Sequence, residues 1–362
     1  MSRRPSSGKG GASRRAGGRR RRAPTPRRGG PLRLVGVALL ALVLLATAAG
    51  GWALWTYRGP GPAAKAGPAT TVILEHGAGV TQIAWALKKA GVISSAQVFL
   101  AAVKFSGAAR SMKAGEYEFK SHTSMARVLA DIRAGKVVIH QVSVPEGWTS
   151  EMVVDAVNRQ PVLVGTVDTP AEGAVLPDTY QVERGEQRVA VILRMEDARD
   201  RLLAELWSAR KAGLPFKTPQ EAVTLASIVE RETALAAERP RIAAVYINRL
   251  RAGMRLESDP TTIYGISKGR PLGRGLTMSE LLAETPYNTY RIDGLPPGPI
   301  ANPGRAALAA VLDPPSTNEL FFVANGQGGH VFASTYEEHQ RNVAKWRSIE
   351  RQRAAAGAGA GK

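Results

Sequence analysis

Two glutamates two residues apart are the strongest candidates for acid chemistry in this sequence. Glu230 and Glu232 lie in the stretch Ala226–Thr233, which has the apolar spacing of a helix. Residues two apart on a helix are separated by roughly 200°, so the two carboxylates face opposite sides. Glu232 falls on the more apolar side, where loss of hydration raises the pKa of a carboxyl group. This favours Glu232 as a general acid; the alternative is that it pairs with an arginine such as Arg239 and only stabilises the helix.

The loops after this helix carry side chains of the kinds that bind sugars. Sugar recognition uses flat aromatic surfaces, planar amides and carboxylates. Residues 256–304 supply all three on turns that proline stiffens. Their concentration within about fifty residues favours a binding cleft over unrelated surface turns. The candidate substrate-binding side chains are Ser258, Asp259, Tyr287, Asn288, Tyr290 and Asn302.

The residues that several other kinds of catalytic or binding site require are missing from this sequence. The chain contains no cysteine, which excludes disulfides, thiolate metal sites and a cysteine nucleophile. His330 and His339 have no HExxH helix or third histidine beside them, so no metal site is predicted. The Gly-rich loop at 325–330 lacks the patterns of phosphate-binding loops, and no nucleophile elbow occurs. No metal and no organic cofactor is therefore expected.

The elements that must position these residues predict an α+β protein. A helical pattern at 218–251, broken near Pro240, carries both glutamates, inside a larger mixed α/β domain at 146–350. Upstream, short strands alternate with helices and form a separate small module at 70–145. The strands of this module are predicted at 71–74, 114–119 and 137–144, and its helices start near Thr81, Ser95 and Ser124.

The N-terminal region predicts a membrane anchor. Of the formal net charge of +19, residues 1–33 supply twelve positive charges and no acid, which leaves +7 for the rest. The 24 residues Leu34–Tyr57 carry no charge, and a helix of that length crosses a hydrocarbon core of about 30 Å. We interpret the terminal regions as follows: a disordered basic cytoplasmic tail at 1–31, a transmembrane helix at 32–57, a linker at 58–69 and a disordered tail at 351–362.

The charge distribution also predicts the orientation of the chain. The basic cluster precedes the apolar run, so the positive-inside rule keeps the N-terminus cytoplasmic and exports everything after Arg58. The alternative is a cleaved signal peptide, because Ala46-Thr47-Ala48 resembles a cleavage site; both readings export the body. Because most of the excess charge lies in the tail, nucleic-acid binding is not expected.

Seven short stretches that follow one another along residues 70–345 carry a family resemblance when they are taken together. They are Val144–Gly147, Leu176–Tyr180, Ala226–Thr233, Val245–Leu250, Leu256–Gly265, Pro286–Gly304 and Phe322–Phe332. In this order they resemble the YceG-like family of endolytic murein transglycosylases. The resemblance implies a LysM-like module at 70–145, a catalytic domain at 146–350 and an inner-membrane protein with that domain in the periplasm. It also implies an essential glutamate, placed here at Glu232 with Glu230 in support, and Asn325 and His330 complete the predicted substrate-binding set.

The reaction implied by this resemblance is cleavage of nascent peptidoglycan between N-acetylmuramic acid and N-acetylglucosamine without water. Such a cut leaves a 1,6-anhydro end and helps to set glycan strand length. One acid suffices, since Glu232 can protonate the leaving oxygen and then accept the proton of the muramic C6 hydroxyl. The resemblance further suggests work beside glycan polymerases of the penicillin-binding-protein kind.

Two alternatives to this reaction stay open at the level of sequence. A hydrolase of the same polymer would use Asp259 as a second carboxylate, because ordinary glycosidases need two. A membrane-anchored peptidoglycan-binding scaffold would keep the small module and lack catalysis.

Overall fold

The structure is a computed structural model that describes residues 31–359. The predicted basic tail at 1–31 lies outside these residues, except for Pro31. The helices are α1 (Pro31–Arg58), α2 (Val80–Ala90), α3 (Ala96–Ser106), α4 (Met125–Ala134), α5 (Ser150–Asn158), α6 (Arg188–Ser208), α7 (Pro219–Glu232), α8 (Arg239–Arg251), α9 (Asp259–Ser267), α10 (Met278–Leu282), α11 (Arg305–Leu312) and α12 (Tyr336–Gly359). The strands are β1 (Ala69–Leu74), β2 (Gly115–Lys120), β3 (Ile139–Ser143), β4 (Thr179–Glu183), β5 (Phe321–Ala324) and β6 (His330–Ala333). This mixture confirms the predicted α+β class.

Helix α1 is the predicted apolar helix. Among residues 31–359, its segment Arg33–Arg58 is the one helix long and apolar enough to cross a membrane. None of its central apolar side chains packs against the rest of the chain; Leu39 and Leu44, for example, are exposed. An apolar helix whose central part has no protein contacts is suited to a lipid environment.

A small core surrounds the first sheet. Strands β1 and β2 pair antiparallel, with Val72 opposite Tyr117, and α2, α3 and α4 complete a core centred on Leu87, Phe99 and Tyr117. Serine side chains cap the N-termini of α3 and α4, and all three helices end at a glycine in the left-handed conformation. The elements predicted at 71–134 are therefore present within a few residues of their expected bounds.

Strand β3 belongs with the residues that follow it. It pairs antiparallel with β4, with Val142 opposite Tyr180, and Val142 and Val144 enter a second core with α5 and α6. Its sequence predicts a strand correctly but cannot identify the partner, because pairing is a long-range choice. Polar side chains connect this β3–β4 pair to β2. Glu116 on β2 accepts a hydrogen bond from Arg184, which follows β4, at 2.7 Å, and its carboxylate lies 2.8 Å from the His140 ring on β3.

The largest core surrounds α7. From Ala222 to Glu230 every residue of this helix is buried, against α8, α11 and the loop around Ile300. The helix begins at the capping residue Thr218 and ends at Glu232, because Thr233 is extended. Pro240 then lies in the first turn of α8, where a missing N–H costs little. The helical pattern at 218–251 is thus two helices separated at residues 233–238.

The hairpin of β5 and β6 and the helix α12 close the structure. Phe322 pairs with Phe332 across the hairpin. Helix α12 continues to Gly359, into residues predicted as a disordered tail, since its alanine-rich end favours the helix. Residues 360–362 lie outside the described part of the chain.

Gly173 lies at a close contact between its own loop, helix α7 and the loop that contains Pro299. Its φ is +74°, and an added Cβ would lie 2.7 Å from the ring of Pro299 and 3.0 Å from Val223. Gly213 has nearly the same φ, +75°, and nothing within 4 Å. We expect Gly213→Ala to cost about 1 kcal/mol from the backbone conformation alone. Gly173→Ala should cost about 1–3 kcal/mol more, because the neighbouring atoms must also move.

Denaturant unfolding of the two variants gives this difference in the free energy of unfolding. Equal losses of unfolding free energy in the two variants would show that the contacts of Gly173 with Val223 and Pro299 are loose.

Candidate active site

The Glu232 carboxyl group lies where three elements meet. It is the last residue of α7; Tyr246 on α8 and Ser258, which precedes α9, lie against it. The Tyr246 hydroxyl donates to Glu232 Oε1 at 2.6 Å, and the Ser258 hydroxyl donates to the same oxygen at 2.5 Å. Both donors are buried, with 1% of their surface exposed. Two fixed hydroxyls therefore hold one oxygen of this carboxyl group.

The other oxygen of Glu232, Oε2, has a different environment. Among residues 31–359 no group donates a hydrogen bond to Oε2, and Glu232 lines an open cleft. In a neutral carboxylic acid the oxygen that accepts hydrogen bonds is the carbonyl oxygen, and the proton sits on the other one. The two hydroxyls thus direct the acidic proton of Glu232 to the oxygen that faces the cleft.

The surroundings of Glu232 favour its protonated form. Burial raises the pKa of its carboxyl group, and the nearby Asp259 carboxylate raises the pKa further. The Ser258 and Tyr246 hydroxyls and His330 act in the opposite direction without reversing the shift. The carboxyl group also stands at the C-terminus of α7, whose partial negative charge disfavours an anion. Glu232 therefore has the raised pKa that a general acid needs near neutral pH.

Glu230 points to the opposite side of α7 and makes a different set of contacts. Arg239 donates to Glu230 Oε1 at 2.6 Å, and the backbone N–H of Gly304 donates to Oε2 at 2.9 Å. Arg239 also reaches Glu146 at 3.0 Å. Burial and the Glu146 carboxylate raise the pKa of Glu230, while the Gly304 N–H and Arg239 oppose this shift. Arg239 thus pairs with Glu230, and the alternative pairing with Glu232 does not occur.

The cleft in front of Glu232 has a volume of about 460 Å³. One wall is polar, and the other is formed by the β5 strand and α12. The lining residues are Glu232, Tyr246, Arg249, Leu256, Glu257, Asp259, Tyr290, Phe322, Val323, His339 and Val343. Such a mixture of one aromatic wall and several charged and hydroxyl groups suits a saccharide.

Arg249 fixes the polar wall. Its buried guanidinium donates to the carbonyl oxygens of Arg255 and Leu256 and to the Glu257 carboxylate at 3.0 Å. Glu257 has a φ of +52°, which costs energy for a residue other than glycine. Its backbone N–H donates to the Thr289 carbonyl. These contacts hold a strained turn directly before Ser258, so they set the position of the Ser258 hydroxyl.

Asp259 and Tyr290 form a second polar pair in the cleft. The Tyr290 hydroxyl donates to Asp259 Oδ1 at 2.8 Å. Burial and this neighbouring carboxylate raise the pKa of Tyr290, so its hydroxyl stays protonated. The side chain of Asp259 is exposed, which leaves its second oxygen open to the cleft.

Three of the predicted substrate-binding residues lie away from this cleft. Asn288 is fully buried, and its amide joins Thr262 to the carbonyl groups of Glu280, Leu281 and Ala283. Asn302 is also fully buried, and it bonds to Trp148, Ser150, Glu172 and Val175. Tyr287 packs against Tyr264 with ring centroids 4.9 Å apart. In the structure these three side chains hold loops together.

Asn325 and His330 stand at the two ends of the β5–β6 turn. Asn325 accepts hydrogen bonds from the backbone N–H groups of Gln327 and Gly329, which closes the turn. His330 meets Glu238 at 2.7 Å and contacts the ring of Phe322 edge-on. Both residues thus shape the hairpin that carries Phe322, without lining the cleft themselves.

The cleft residues that were not predicted as site residues from the sequence include Tyr246, Arg249, Phe322 and His339. Tyr246 and Arg249 lie in a stretch that resembles the family, but a tyrosine on a buried helix is usually a core residue. His339 stacks on Phe321 at 5.1 Å, and burial followed by the Arg249 charge lowers its pKa. Its place in the same cleft as Glu232 depends on the packing of α12 against the rest of the domain, which local sequence does not reveal.

No cluster that could hold a metal ion occurs in the part of the chain that the structure describes. The polar groups of the cleft are carboxyl, hydroxyl and guanidinium groups that bond to each other. Their chemistry is that of proton transfer and hydrogen bonding.

The sequence from residue 72 to residue 345 matches the model of the YceG-like family. The chain belongs to this family. The match spans the small module, the cleft and all seven stretches that carried the resemblance, so the predicted family is confirmed. In this YceG-like chain, Glu232 is the one cleft carboxyl group of the matched region that two hydroxyls hold.

Two relatives of known function are similar over most of this YceG-like chain. An endolytic murein transglycosylase of Bacillus subtilis strain 168 is 27% identical over 312 residues, which cover 77% of this chain and 85% of that protein. An endolytic murein transglycosylase of Streptococcus pneumoniae strain D39 is 28% identical over 324 residues, covering 76% of this chain and 58% of that protein. A YceG-like protein of Listeria monocytogenes with a crystal structure is 27% identical, with a TM-score of 0.48, over 76% of this chain and 98% of that chain.

Replacing Glu232 by glutamine should make stability depend less on pH. A carboxyl group with a raised folded-state pKa contributes stability that is complete below its ordinary pKa of 4.5 and is lost as pH rises through the raised pKa. Each pH unit between the two values is worth about 1.4 kcal/mol. The free energy of unfolding of Glu232→Gln, relative to the native chain, should therefore increase between pH 4.5 and pH 8.

Glu280 supplies a control of opposite sign for this measurement. Hydrogen bonds from Arg274 and Thr277 lower the pKa of Glu280 to about 2. Glu280→Gln should therefore lose stability relative to the native chain as pH rises from 2 to 4.5. A Glu232→Gln curve parallel to the native curve would contradict the raised pKa.

Proposed function

We propose that this chain is an endolytic murein transglycosylase that cleaves peptidoglycan between N-acetylmuramic acid and N-acetylglucosamine. The observation that carries the proposal is the half-buried carboxyl group of Glu232, which lines the cleft, with one oxygen held by two hydroxyls and the other without a donor among residues 31–359. The family supports it, and so does the similarity to two endolytic murein transglycosylases. A single acid of this kind is what an intramolecular transfer requires.

The first step is breakage of the glycosidic bond. The proton on Glu232 Oε2 passes to the oxygen between the two sugars, and the bond from that oxygen to the muramic anomeric carbon breaks. N-acetylglucosamine leaves with its hydroxyl restored. The carboxylate that forms on Glu232 keeps the hydrogen bonds from Tyr246 and Ser258, so both hydroxyls stabilise the charge as it develops.

The second step closes the muramic ring. The C6 hydroxyl of the same sugar attacks the oxocarbenium-like anomeric carbon, and its proton returns to Glu232. The product is a 1,6-anhydro end, and the acid is restored without the use of water. The Asp259 carboxylate, which faces the same cleft, supplies negative charge that favours the cationic centre between the steps.

The rest of the chain fits a protein that acts on nascent strands. We propose that α1 anchors it in the inner membrane with the N-terminus cytoplasmic, and that the cleft works in the periplasm. The module at 70–145 is proposed to be LysM-like and to hold the glycan strand. An enzyme in this position could act beside glycan polymerases of the penicillin-binding-protein kind and so help to set strand length.

Hydrolysis of the same bond is the second candidate function. Asp259 lines the cleft, and its carboxyl group is exposed and bound to Tyr290 through one oxygen only. A carboxylate so placed could activate a water molecule in place of the C6 hydroxyl. The two reactions give different chain ends, so their products separate them.

The main test is the chain end that the protein produces. Residues 59–362 should release glycans with anhydro-muramic ends from purified peptidoglycan, measured by mass spectrometry. Glu232→Gln should lose at least about 100-fold in rate, because the amide keeps the two hydrogen bonds and cannot give a proton. Asp259→Asn should still give anhydro ends.

Other products would redirect the assignment. Reducing ends that disappear in Asp259→Asn would identify a hydrolase. Binding of the polymer by the full chain without any cleavage would favour a scaffold.

A second test is the pH profile of cleavage. The Tyr246 and Ser258 hydroxyls lower the pKa of Glu232, so removing either one raises it further. Tyr246→Phe and Ser258→Ala should therefore move the alkaline limb of kcat/KM to higher pH. The maximal rate should also fall by about 10-fold, because the developing carboxylate loses a donor.

Tyr264→Phe is the matched control for Tyr246→Phe. The Tyr264 hydroxyl donates to Glu172 at 3.2 Å and has no contact with Glu232. The Tyr264→Phe variant should therefore keep the alkaline limb of the kcat/KM profile at the same pH as the native chain. An unchanged limb in Tyr246→Phe would show that this hydroxyl does not tune the acid.

A further inference from the structure

The small module meets α1 at the depth of its interfacial aromatic residues. Ala53, Thr56 and Tyr57 form one face of α1 and are partly buried, and Tyr57 packs against the core of the module. Trp52 and Trp55 remain 58% and 68% exposed. Tryptophan side chains at the end of a membrane helix lie at the headgroup level. The module therefore begins within that layer, with no spacer between it and the membrane.

The connection after α1 is ordered against the module. The N–H of Gly61 donates to the His122 carbonyl at 3.1 Å, and a Cβ added to Gly61 would clash with the Thr123 carbonyl oxygen and lie 3.5 Å from that of Val92. Thr123 lies just before α4, and Val92 lies in the turn that leads to α3. Helix α1 also packs against α3 and α4, so both helices are held close to the end of α1.

The C-terminal end of α3 has the composition of a lipid-binding surface. We define the Phe105 segment as residues 104–113. Phe105 is 91% exposed, the highest exposure among the large apolar side chains of the described residues. Lys104, Arg110 and Lys113 are exposed beside it in sequence. No acidic residue occurs between Glu75 and Glu116, so nothing in this stretch opposes an anionic surface.

We propose that the Phe105 segment inserts Phe105 into the lipid headgroup layer, with its basic side chains on anionic phospholipids. An aromatic side chain surrounded by Lys and Arg binds such a layer through burial of apolar area and through charge. Together with α1 this gives the module two attachments to the membrane. Two attachments fix its tilt, and with it the height at which the Glu232 cleft meets a glycan strand.

The test uses the full chain in vesicles of phosphatidylethanolamine and phosphatidylglycerol. The chain has no cysteine, so Phe105→Cys gives one site for an environment-sensitive fluorophore. Glu118→Cys is the matched control, since Glu118 is exposed on the same face of β2 as Glu116, which contacts the residues after the module. A nitroxide lipid with its label at headgroup depth then reports contact.

We expect at least about twofold quenching at position 105 and little at position 118. No quenching at position 105, or equal quenching at both positions, would overturn the proposal. The absence of quenching at 105 is the result expected if the basic side chains bind the glycan strand instead of lipid. In vesicles of phosphatidylcholine alone the quenching at 105 should fall, and an unchanged value would remove the part assigned to the basic side chains. None of these readouts depends on cleavage activity.

Discussion

The two hydrogen bonds to Glu232 Oε1 are the contacts on which the arrangement of the cleft depends. Tyr246 reaches this oxygen because α7 stops at Glu232 and the chain returns as α8. Ser258 reaches it because Arg249 holds the strained turn that precedes α9. The same bonds occupy Oε1 and leave Oε2 without a donor among residues 31–359, which is the arrangement that the proposed proton transfer requires. The positions of α8 and of the 256–258 turn thus decide which oxygen of Glu232 is held.

Glu230 shows how the fold keeps a second buried carboxylate out of the reaction. Its side chain is 3% exposed, and an isolated charge at that depth would be unstable. Arg239 and the Gly304 N–H compensate for it, and Arg239 draws Glu146 into the same cluster. The cluster joins α7, the start of α8 and the loop before α11. One glutamate thus joins three segments of the domain through its hydrogen bonds, and its neighbour two residues later lies in the cleft instead.

The contacts outside the cleft form a continuous path from the membrane helix to the active site. Tyr57 joins α1 to the core of the module, and Glu116 joins the module to Arg184 and His140. The third link is the loop at 146–150, where the Gly147 N–H donates to the Asn302 carbonyl and the Asn302 N–H donates to the Trp148 carbonyl. Because each link is ordered, the distance between α1 and the cleft is set by the protein and not by a flexible tether.

The sequence by itself determined the family, the apolar helix α1 and most of the helices and strands, because these follow from local periodicity, composition and motif order; Glu232 as the acid stays a prediction. It separated Glu230 from Glu232 by direction, but α7 is buried on all sides, so the apolar face of Glu232 is less distinctive than it looks. Only the tertiary structure assigned Arg239 to Glu230 and β3 to β4. Only the tertiary structure brought Tyr246, Arg249 and His339 to the cleft and buried Asn288 and Asn302 in loop contacts. Such pairings join residues far apart in the chain, and local residue patterns carry no information about which distant partner wins.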